Sequence, residues 1–265
     1  MIQAVIFDWA GTMVDYGCFA PLNVFMEVFR RKEIAITIEE ARAPMGLLKR
    51  DHIREILRME RVAGLWLARY GQLPQEMDID ELYADFEPMM LAVVHEYAEP
   101  ISGSLALVDR LRQAGIRIGS TTGYTAEMMA IVTVEAKKRG YAPDHVVTPN
   151  DVPAGRPYPW MMYENAAALN VYPTYNMIKV GDTVSDIQEG VNARAWTVGV
   201  IQGGSELGMS EEEVAACDPQ QLLMRMAAVA ETFRAHGAHY VIDTIGELDT
   251  LLPLINERLL KGDRP

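Results

Sequence analysis

The sequence predicts an α/β fold: a doubly wound, Rossmann-like parallel sheet forms the core, and a helical cap domain is inserted into it. Short apolar, β-rich runs alternate with stretches of helical spacing, which is typical of a parallel sheet covered on both faces. Right-handed crossovers make such a sheet doubly wound, and ligands then bind at the carboxyl ends of its strands. Residues 17 to about 98 contain helical patterns and no convincing strand, which is too long an interruption for an ordinary crossover.

Six runs are predicted to be core strands: Ala4–Phe7, Ile116–Thr121, His145–Thr148, Met177–Val180, Trp196–Ile201 and His239–Ile242. Helices are predicted between them at Ser104–Gln113, Ala126–Lys138, Trp160–Leu169 and Ser185–Ala193. The interrupting stretch has helical spacing at Leu22–Arg31, Thr37–Ala43, Gly46–Met59 and Asp80–Tyr97. We therefore expect an α/β catalytic core of residues 1–16 and 100–265 and a helical cap domain of residues 17–99. Residues 202–237 are expected to add more helix, to which the sequence assigns no role.

Composition and charge narrow the classes of function. The 265 residues are 49% hydrophobic, which is ample for a globular core, and the formal net charge of -13 without a long basic run argues against a nucleic acid partner. The two cysteines, Cys18 and Cys217, do not form a disulfide framework. The apolar run at the N-terminus is too short for a signal peptide or a membrane span, so we expect a cytoplasmic protein that does not bind membranes.

Four segments carry polar residues at or just after predicted strands: FDWAGT with Asp8, GSTTGYT with Thr122 and Gly123, AGRPYPW with Arg156, and VGDTVSDIQEG with Asp182 and Asp186. A carboxylate can attack an electrophilic phosphorus, and the phosphoryl oxygens then need cationic or N–H partners. Taken singly, Asp8 is equally well a turn former, Arg156 a surface loop residue and Thr122 a helix cap. Their joint occurrence at strand ends favours one shared phosphoryl site.

The order of these segments, with an insertion after the first, resembles the haloacid dehalogenase superfamily. The resemblance implies that Asp8 is the nucleophile and that Asp8, the carbonyl of Ala10 and Asp182 bind Mg²⁺. It also implies that Asp186 assists from outside the ligand set or through water. Thr12, Thr122, Gly123 and Arg156 are the expected partners of the phosphoryl group.

Ala10 stands where phosphatases of the superfamily carry a second Asp. That Asp protonates an alkoxide leaving group, and alanine cannot. The superfamily's dehalogenases also lack it, but they attack carbon and use no metal, whereas the acidic fourth segment here favours a metal and therefore phosphorus. A carbanion stabilised by an imine would need no strong acid at this position, and an imine requires a lysine.

The predicted cap helix Gly46–Met59 offers such a lysine. Met45, Lys49, His52 and Ile56 fall on one continuous helical stripe, which places a lysine and a histidine among apolar residues. By itself this pattern is more typical of a lysine that reaches solvent from the side of a helix, next to a partly buried histidine, and the core segments are what favour the functional interpretation.

Taken together, the core segments, VDYGCFAP and PMGLLKRDH resemble the phosphonoacetaldehyde hydrolase family over nearly the whole chain. The resemblance implies a Schiff base between Lys49 and the substrate aldehyde, and Cys18, Met45, His52 and Tyr124 around the substrate. It also implies Mg²⁺ as cofactor and a homodimer formed through the cap, and we take His52 as the candidate proton carrier. One departure is Met13, where Thr or Val is common in the family.

Two other functions compete with this interpretation. A phosphatase or phosphomutase acting on phosphate esters would use the same core, but Ala10 argues against it. A non-catalytic phosphoryl-binding protein would keep the fold, but binding alone requires neither Asp8 nor Lys49.

Overall fold

A computed structural model describes residues 1–265, and its centre is one six-stranded parallel sheet. The strands are β1 (Ala4–Phe7), β2 (Arg117–Thr121), β3 (His145–Val147), β4 (Met177–Gly181), β5 (Trp196–Val200) and β6 (Tyr240–Ile242). All residues of β1, β4 and β5 are buried, as expected of parallel strands covered on both faces. The predicted α/β class and all six predicted strands are confirmed.

The strand order β3-β2-β1-β4-β5-β6 places β1 at the centre of the sheet. The chain proceeds from β1 through β2 to β3 on one side and from β4 to β6 on the other, so the order reverses next to β1. In sheets of this kind, ligands bind in the crevice outside the carboxyl ends of the strands at that reversal. Asp8, Thr122 and Asp182 follow β1, β2 and β4 directly, so the topology brings them to this crevice.

Six helices lie between β1 and β2, and the first five are α1 (Phe19–Arg31), α2 (Ile38–Arg42), α3 (Lys49–Arg58), α4 (Glu60–Tyr70) and α5 (Glu76–Val93), followed by a 3-10 turn at Val94–Tyr97. We call residues 19–97 the helical insert. It packs on the sheet through one continuous apolar cluster, in which Phe25 and Phe86 of the insert and Phe7 of β1 are fully buried. The expected division into two domains at residues 16–17 and 99–100 stays a prediction.

The prediction of a helix over Gly46–Met59 is partly wrong. Residues 43–46 form turns and residue 47 a bend, Gly46 has a φ of +88°, and α3 begins only at Lys49. Met45 therefore does not share a helical face with Lys49 and His52, although it is buried. The predicted stripe wrongly included Met45, because the left-handed backbone at Gly46 separates that residue from the helix. Helix α4 was not predicted, and α5 begins four residues before the predicted Asp80.

The remaining helices cover the two faces of the sheet and the carboxyl-terminal part of the chain. They are α6 (Ser104–Gln113), α7 (Ala126–Lys138), α8 (Trp160–Ala168), α9 (Val184–Asn192), α10 (Glu211–Ala216), α11 (Pro219–Ala235) and α12 (Leu251–Leu260). The predicted helices of the core are confirmed to within one residue at each end, and α10 and α11 confirm the extra helix expected in residues 202–237. No helix is both long enough and apolar enough to cross a membrane.

The chain leaves and re-enters the core at neighbouring points. Val14 forms an antiparallel bridge with Pro100, and the Ile101 amide donates to the Met13 carbonyl at 2.9 Å. Asp15 then caps α1, accepting hydrogen bonds from the amides of Phe19 and Ala20 at 3.0 Å each. The start of the helical insert is thus fixed directly behind the loop that carries Asp8.

Candidate active site

A small closed cavity lies where the helical insert meets the carboxyl end of the sheet. Its volume is about 10 Å³, room for roughly one water molecule. It is lined by Asp8, Ala10, Cys18, Met45, Gly46, Lys49, Thr122, Gly123, Tyr124, Arg156 and Thr183. Nine of these residues were predicted as site residues from the sequence, and the structure brings them together from both sides of the fold.

Asp8 is held at the end of β1 in a defined position. Its amide donates to the Val180 carbonyl at 2.9 Å, which continues the pairing of β1 with β4. Its Oδ1 accepts a hydrogen bond from Nη2 of Arg156 at 2.6 Å, and its Oδ2 accepts none from the protein. One carboxylate oxygen of Asp8 is therefore oriented by a cation, and the other is free for chemistry.

Arg156 belongs to a buried network of charges. Its Nη1 lies 3.0 Å from Oδ1 of Asp186, and its Nε donates to Oε2 of Glu189 at 3.0 Å. Lys179 contacts the same two carboxylates, at 2.7 Å for Asp186 and 3.2 Å for Glu189. The side chains of these groups are fully buried, so the network fixes both cations next to Asp8.

Lys179, Glu189 and Thr121 were missed by sequence reasoning. The hydroxyl of Thr121 accepts from both Arg156 and Lys179 at 2.8 Å and donates to Glu189 at 2.9 Å. A signal was present for two of them. Lys179 stands in the otherwise apolar run Met177–Val180, and Glu189 follows Asp186 by three residues, on the same face of α9.

The carboxylates of Asp8, Asp182 and Asp186 form a group suited to a divalent cation. Their oxygens lie within 4.8 Å of one another, and the carbonyl of Ala10 next to them accepts no hydrogen bond from the protein. Together with Glu189, these are four buried carboxylates against the two cations of the network, which contact Asp8, Asp186 and Glu189 but not Asp182, so negative charge is in excess by two when all are ionised. Oxygen donors and uncompensated negative charge are what Mg²⁺ prefers, so the residues fit that ion.

The pKa values of two of these acids reflect the crowding of charge. Burial, reinforced by the charges of Asp8 and Asp186, raises the pKa of Asp182 well above its usual range. Burial alone would also raise the pKa of Asp186, but the charges of Arg156 and Lys179 outweigh it, and the pKa is lowered. Asp186 is therefore compensated within the protein, whereas Asp182 is the carboxylate that lacks a cation.

Asp182 is oriented by two donors from different parts of the chain. The hydroxyl of Thr12 donates to its Oδ1 at 2.6 Å, and the amide of Ser205 donates to its Oδ2 at 2.8 Å. Thr12, predicted as a substrate contact, is fully buried and does not line the cavity. Its observed contact is with Asp182.

Lys49 enters the cavity from the first turn of α3. Its side chain is buried, forms no salt bridge, and places Nζ 4.9 Å from the ring centre of Tyr124. Burial lowers the pKa of Lys49 to about 8, against the opposing charges of Cys18 and Asp8. A lysine in these surroundings loses its proton more readily than one in water, and the free amine is the form that attacks carbonyl groups.

The four residues expected around the substrate lie at different distances from the cavity. Cys18, Met45 and Tyr124 line it, and burial raises the pKa of Cys18 and of Tyr124. His52 does not line it. Its Nε2 lies 2.8 Å from the Ala41 carbonyl and its ring stacks on Phe25 with centres 3.9 Å apart, so it sits one turn behind Lys49.

Gly46 and Thr183 line the cavity but were not predicted as site residues. A Cβ on Gly46 would lie 2.5 Å from Oγ1 of Thr183, so the turn before α3 can approach the core only because this residue is glycine. Thr183 also caps α9 and forms a reciprocal capping box with Asp186. Both residues act at the contact between the helical insert and the core.

The chain is similar to known proteins both in sequence and in structure. The family model of haloacid dehalogenase-like hydrolases matches residues 2–194. A phosphonoacetaldehyde hydrolase of Bacillus cytotoxicus is 58% identical over 257 residues, which are 97% of this chain and 97% of that protein. A solved structure of a phosphonoacetaldehyde hydrolase-like protein from Oleispira antarctica has a TM-score of 0.97 and 39% identity, with 100% of this chain and 96% of that chain covered.

A fusion protein is also among the relatives. A bifunctional phosphonoacetaldehyde hydrolase/aminoethylphosphonate transaminase of Clostridioides difficile is 54% identical over 262 residues, 99% of this chain. The chain spans only 41% of the length of that longer relative.

Proposed function

The chain belongs to the phosphonoacetaldehyde hydrolases of the haloacid dehalogenase-like hydrolase family, and on that premise we propose that it cleaves the carbon–phosphorus bond of phosphonoacetaldehyde to give acetaldehyde and phosphate. Such an enzyme needs a nucleophile for phosphorus and an electron sink for the carbon that leaves. The observation that carries the proposal is the position of Lys49: an amine without a salt bridge in the same closed cavity as Asp8.

The first step joins substrate and protein. The neutral amine of Lys49 attacks the aldehyde carbon, and with the uptake of one proton from solvent the carbinolamine loses water to give the iminium. Burial favours the neutral amine by lowering the pKa of Lys49 to about 8. Met45 and Tyr124 enclose the aldehyde end, while Arg156, Thr122 and Gly123 face the phosphonate end. His52 remains the candidate proton carrier and, from its place behind Lys49, would act through an intervening water.

The second step breaks the carbon–phosphorus bond. A carboxylate oxygen of Asp8 attacks phosphorus in line, the bond to carbon breaks, and its electron pair enters the iminium to give an enamine. Arg156 offsets negative charge on the phosphoryl oxygens. Mg²⁺ bound by Asp8, the Ala10 carbonyl and Asp182 would reduce the repulsion between the nucleophile and the phosphonate.

The last steps return both residues to their starting form. A proton adds to the enamine carbon, and water releases acetaldehyde and the Lys49 amine. A second water hydrolyses the aspartyl phosphate to phosphate and the Asp8 carboxylate. No step expels an alkoxide, so a general acid at position 10 is not required. Residues 1–16 and 100–265 would form the phosphoryl-handling core and residues 17–99 the cap that carries Lys49; a homodimer through the cap stays a prediction.

Reductive trapping tests this proposal. Borohydride added together with phosphonoacetaldehyde should reduce the iminium to a stable amine, abolish phosphate release irreversibly and leave the added mass on Lys49. Borohydride alone should do little. Lys49→Arg keeps the charge but does not form the imine, so it should fold and lose at least about 1000-fold in turnover.

The matched control is Lys32→Arg. Lys32 is the other lysine of the helical insert, and it pairs with Glu81 on the surface. It should turn over and be trapped at Lys49 as the parent is. Normal turnover by Lys49→Arg, or label found only on other lysines, would contradict the Schiff-base mechanism.

A further inference from the structure

Few hydrogen bonds hold the helical insert against the rest of the protein. Those that cross between residues 19–97 and the core come from three side chains: Asp15, which caps α1; Ser185, which donates to the Met45 carbonyl at 3.3 Å; and Arg42. Arg42 is the one cation among them. It ends α2, on the side of the insert that faces the segment after β5.

Arg42 reaches four oxygen atoms of the core. Its Nη1 lies 2.8 Å from the Gly17 carbonyl, 3.2 Å from the Ser205 carbonyl and 3.3 Å from the Ser205 hydroxyl, and its Nη2 lies 3.4 Å from the Gly208 carbonyl. A planar guanidinium with five donors is suited to such a set, whereas a surface lysine is not. Arg42 therefore binds both the start of the insert and the loop at residues 203–208.

The same loop contacts the predicted metal site. The amide of Ser205 donates to Oδ2 of Asp182 at 2.8 Å. A Cβ at Gly204 would lie 2.8 Å from Cβ of Asp182, and a Cβ at Gly208 would lie 2.9 Å from Nε of Arg42. The loop thus passes close to both Arg42 and Asp182, and glycine is needed at 204 for the close approach and at 208 for its φ of +65°.

The size of the cavity shows why this connection matters. About 10 Å³ does not admit a phosphonate substrate, so the helical insert must move away from the core before binding and return afterwards. The contacts of Arg42 with the core belong to the closed position described here, and a movement of the insert away from the core would break them. With the insert moved away, the loop would lose its hydrogen bonds from Arg42 and keep the bond from the Ser205 amide to Asp182.

We propose that Arg42 is a positioning residue that couples closure of the helical insert to the placement of Asp182, through the loop at residues 203–208. The inference rests on the proposed function for its catalytic meaning, but the coupling itself is a property of the protein without substrate. It assigns a role to part of the segment 202–237, which had none. Asp182 would then be correctly placed for metal binding only when the insert is closed and Lys49 lies in the cavity.

Hydrogen exchange on the full-length protein without metal or substrate tests the coupling. In Arg42→Met, amides in residues 203–208, including that of Ser205, should exchange about tenfold faster than in the parent. The matched control is Arg61→Met, because Arg61 pairs with Glu40 and the Ala35 carbonyl inside the insert and contacts nothing in the core. It should leave exchange in residues 203–208 unchanged.

Two further measurements separate positioning from a merely structural role. The Mg²⁺ concentration that gives half of the thermal shift should rise about tenfold in Arg42→Met, the size of effect usual for residues that orient metal ligands. With phosphonoacetaldehyde, kcat/KM should fall at least as much. Arg42→Lys, which cannot hold several oxygens in one plane, should behave like Arg42→Met.

Gly208→Ala tests the coupling from the core side, and decides the matter if Arg42→Met does not fold. Its methyl group would lie 2.9 Å from Nε of Arg42 and displace it, and alanine would also be strained at the φ of +65°. Because that strain loosens the loop on its own, the Mg²⁺ response is the decisive readout for this variant, and we expect the same rise as in Arg42→Met. If Arg42→Met matches Arg61→Met in both exchange and Mg²⁺ response, or Gly208→Ala matches it in Mg²⁺ response, the proposal is overturned. If the parent protein does not turn over phosphonoacetaldehyde, the proposed function fails, while exchange and Mg²⁺ response still decide the role of Arg42.

Discussion

Lys49 illustrates how a single residue obtains its chemistry from its surroundings. The helical pattern alone did not distinguish it from a lysine that reaches solvent, and only the core segments and the family resemblance made it the predicted Schiff-base residue. The partners of Arg156 were not predictable in the same way, because Thr121, Lys179 and Glu189 come from three elements and meet only in the folded protein. Residues that react can be found by type and motif, whereas residues that orient them depend on tertiary contacts.

The lowered pKa of Lys49 predicts a pH dependence. A lysine with a folded-state pKa of about 8 is neutral in roughly one molecule in ten at pH 7, and in one in two at pH 8. The rate of borohydride trapping with phosphonoacetaldehyde should therefore rise with pH to a midpoint near pH 8 and then level off. Single-turnover trapping between pH 6 and pH 10 measures this. A midpoint near the ordinary lysine pKa, above pH 10, would show that burial does not tune the amine.

At the scale of elements, the contact between β2 and the turn before α3 decides how closely the insert approaches the core. The type and order of the core elements were predictable because apolar strands alternate with amphipathic helices. The start of α3 at Lys49 was not predictable. The apolar spacing runs on through Gly46, and only the positive φ of that residue shows that the helix cannot include it. This local detail determines which residue of the segment faces Asp8.

Gly123, just after β2, tests that contact. A Cβ at this position would lie 2.6 Å from the Leu47 carbonyl and 2.7 Å from the Gly46 carbonyl, so Gly123→Ala should push the turn before α3 away from the core. We expect kcat/KM to fall about 100-fold, the cost of displacing a catalytic group by about 1 Å, while the protein stays folded. Gly64→Ala is the control, since its Cβ meets nothing within 4 Å and alanine favours the helix. Equal activity of the two variants would contradict the importance of this approach.

For the whole molecule, the charge buried at the centre links metal binding to stability. The excess of carboxylates costs free energy in the metal-free protein, and a bound cation offsets that cost. The sequence suggested the metal from the acidic fourth segment. It did not show which acid is already compensated, because the positions of Arg156 and Lys179 relative to Asp186 depend on the complete sheet.

Thermal unfolding of two variants checks this distinction. Metal-free Asp182→Asn should unfold at the same temperature as the parent or higher, because it removes a carboxylate that burial and its acidic neighbours disfavour, and Mg²⁺ should no longer raise that temperature. Metal-free Asp186→Asn should be destabilised by about 3 kcal/mol, because it removes the one carboxylate that contacts both Arg156 and Lys179 inside the buried network. A larger loss for Asp182→Asn than for Asp186→Asn would reverse the roles assigned to the two acids.

The closely spaced junctions of the helical insert have a consequence for how such enzymes diversify. Because Val14 pairs with Pro100 and Ile101 bonds to Met13, the insert leaves and re-enters the sheet at nearly the same place. A module with adjoining ends can be exchanged, lengthened or lost without separating any of the strands that hold Asp8, Thr122 and Asp182. Recombination at this point would replace the segment that carries Lys49 while the strands that carry Asp8, Thr122 and Asp182 are inherited intact.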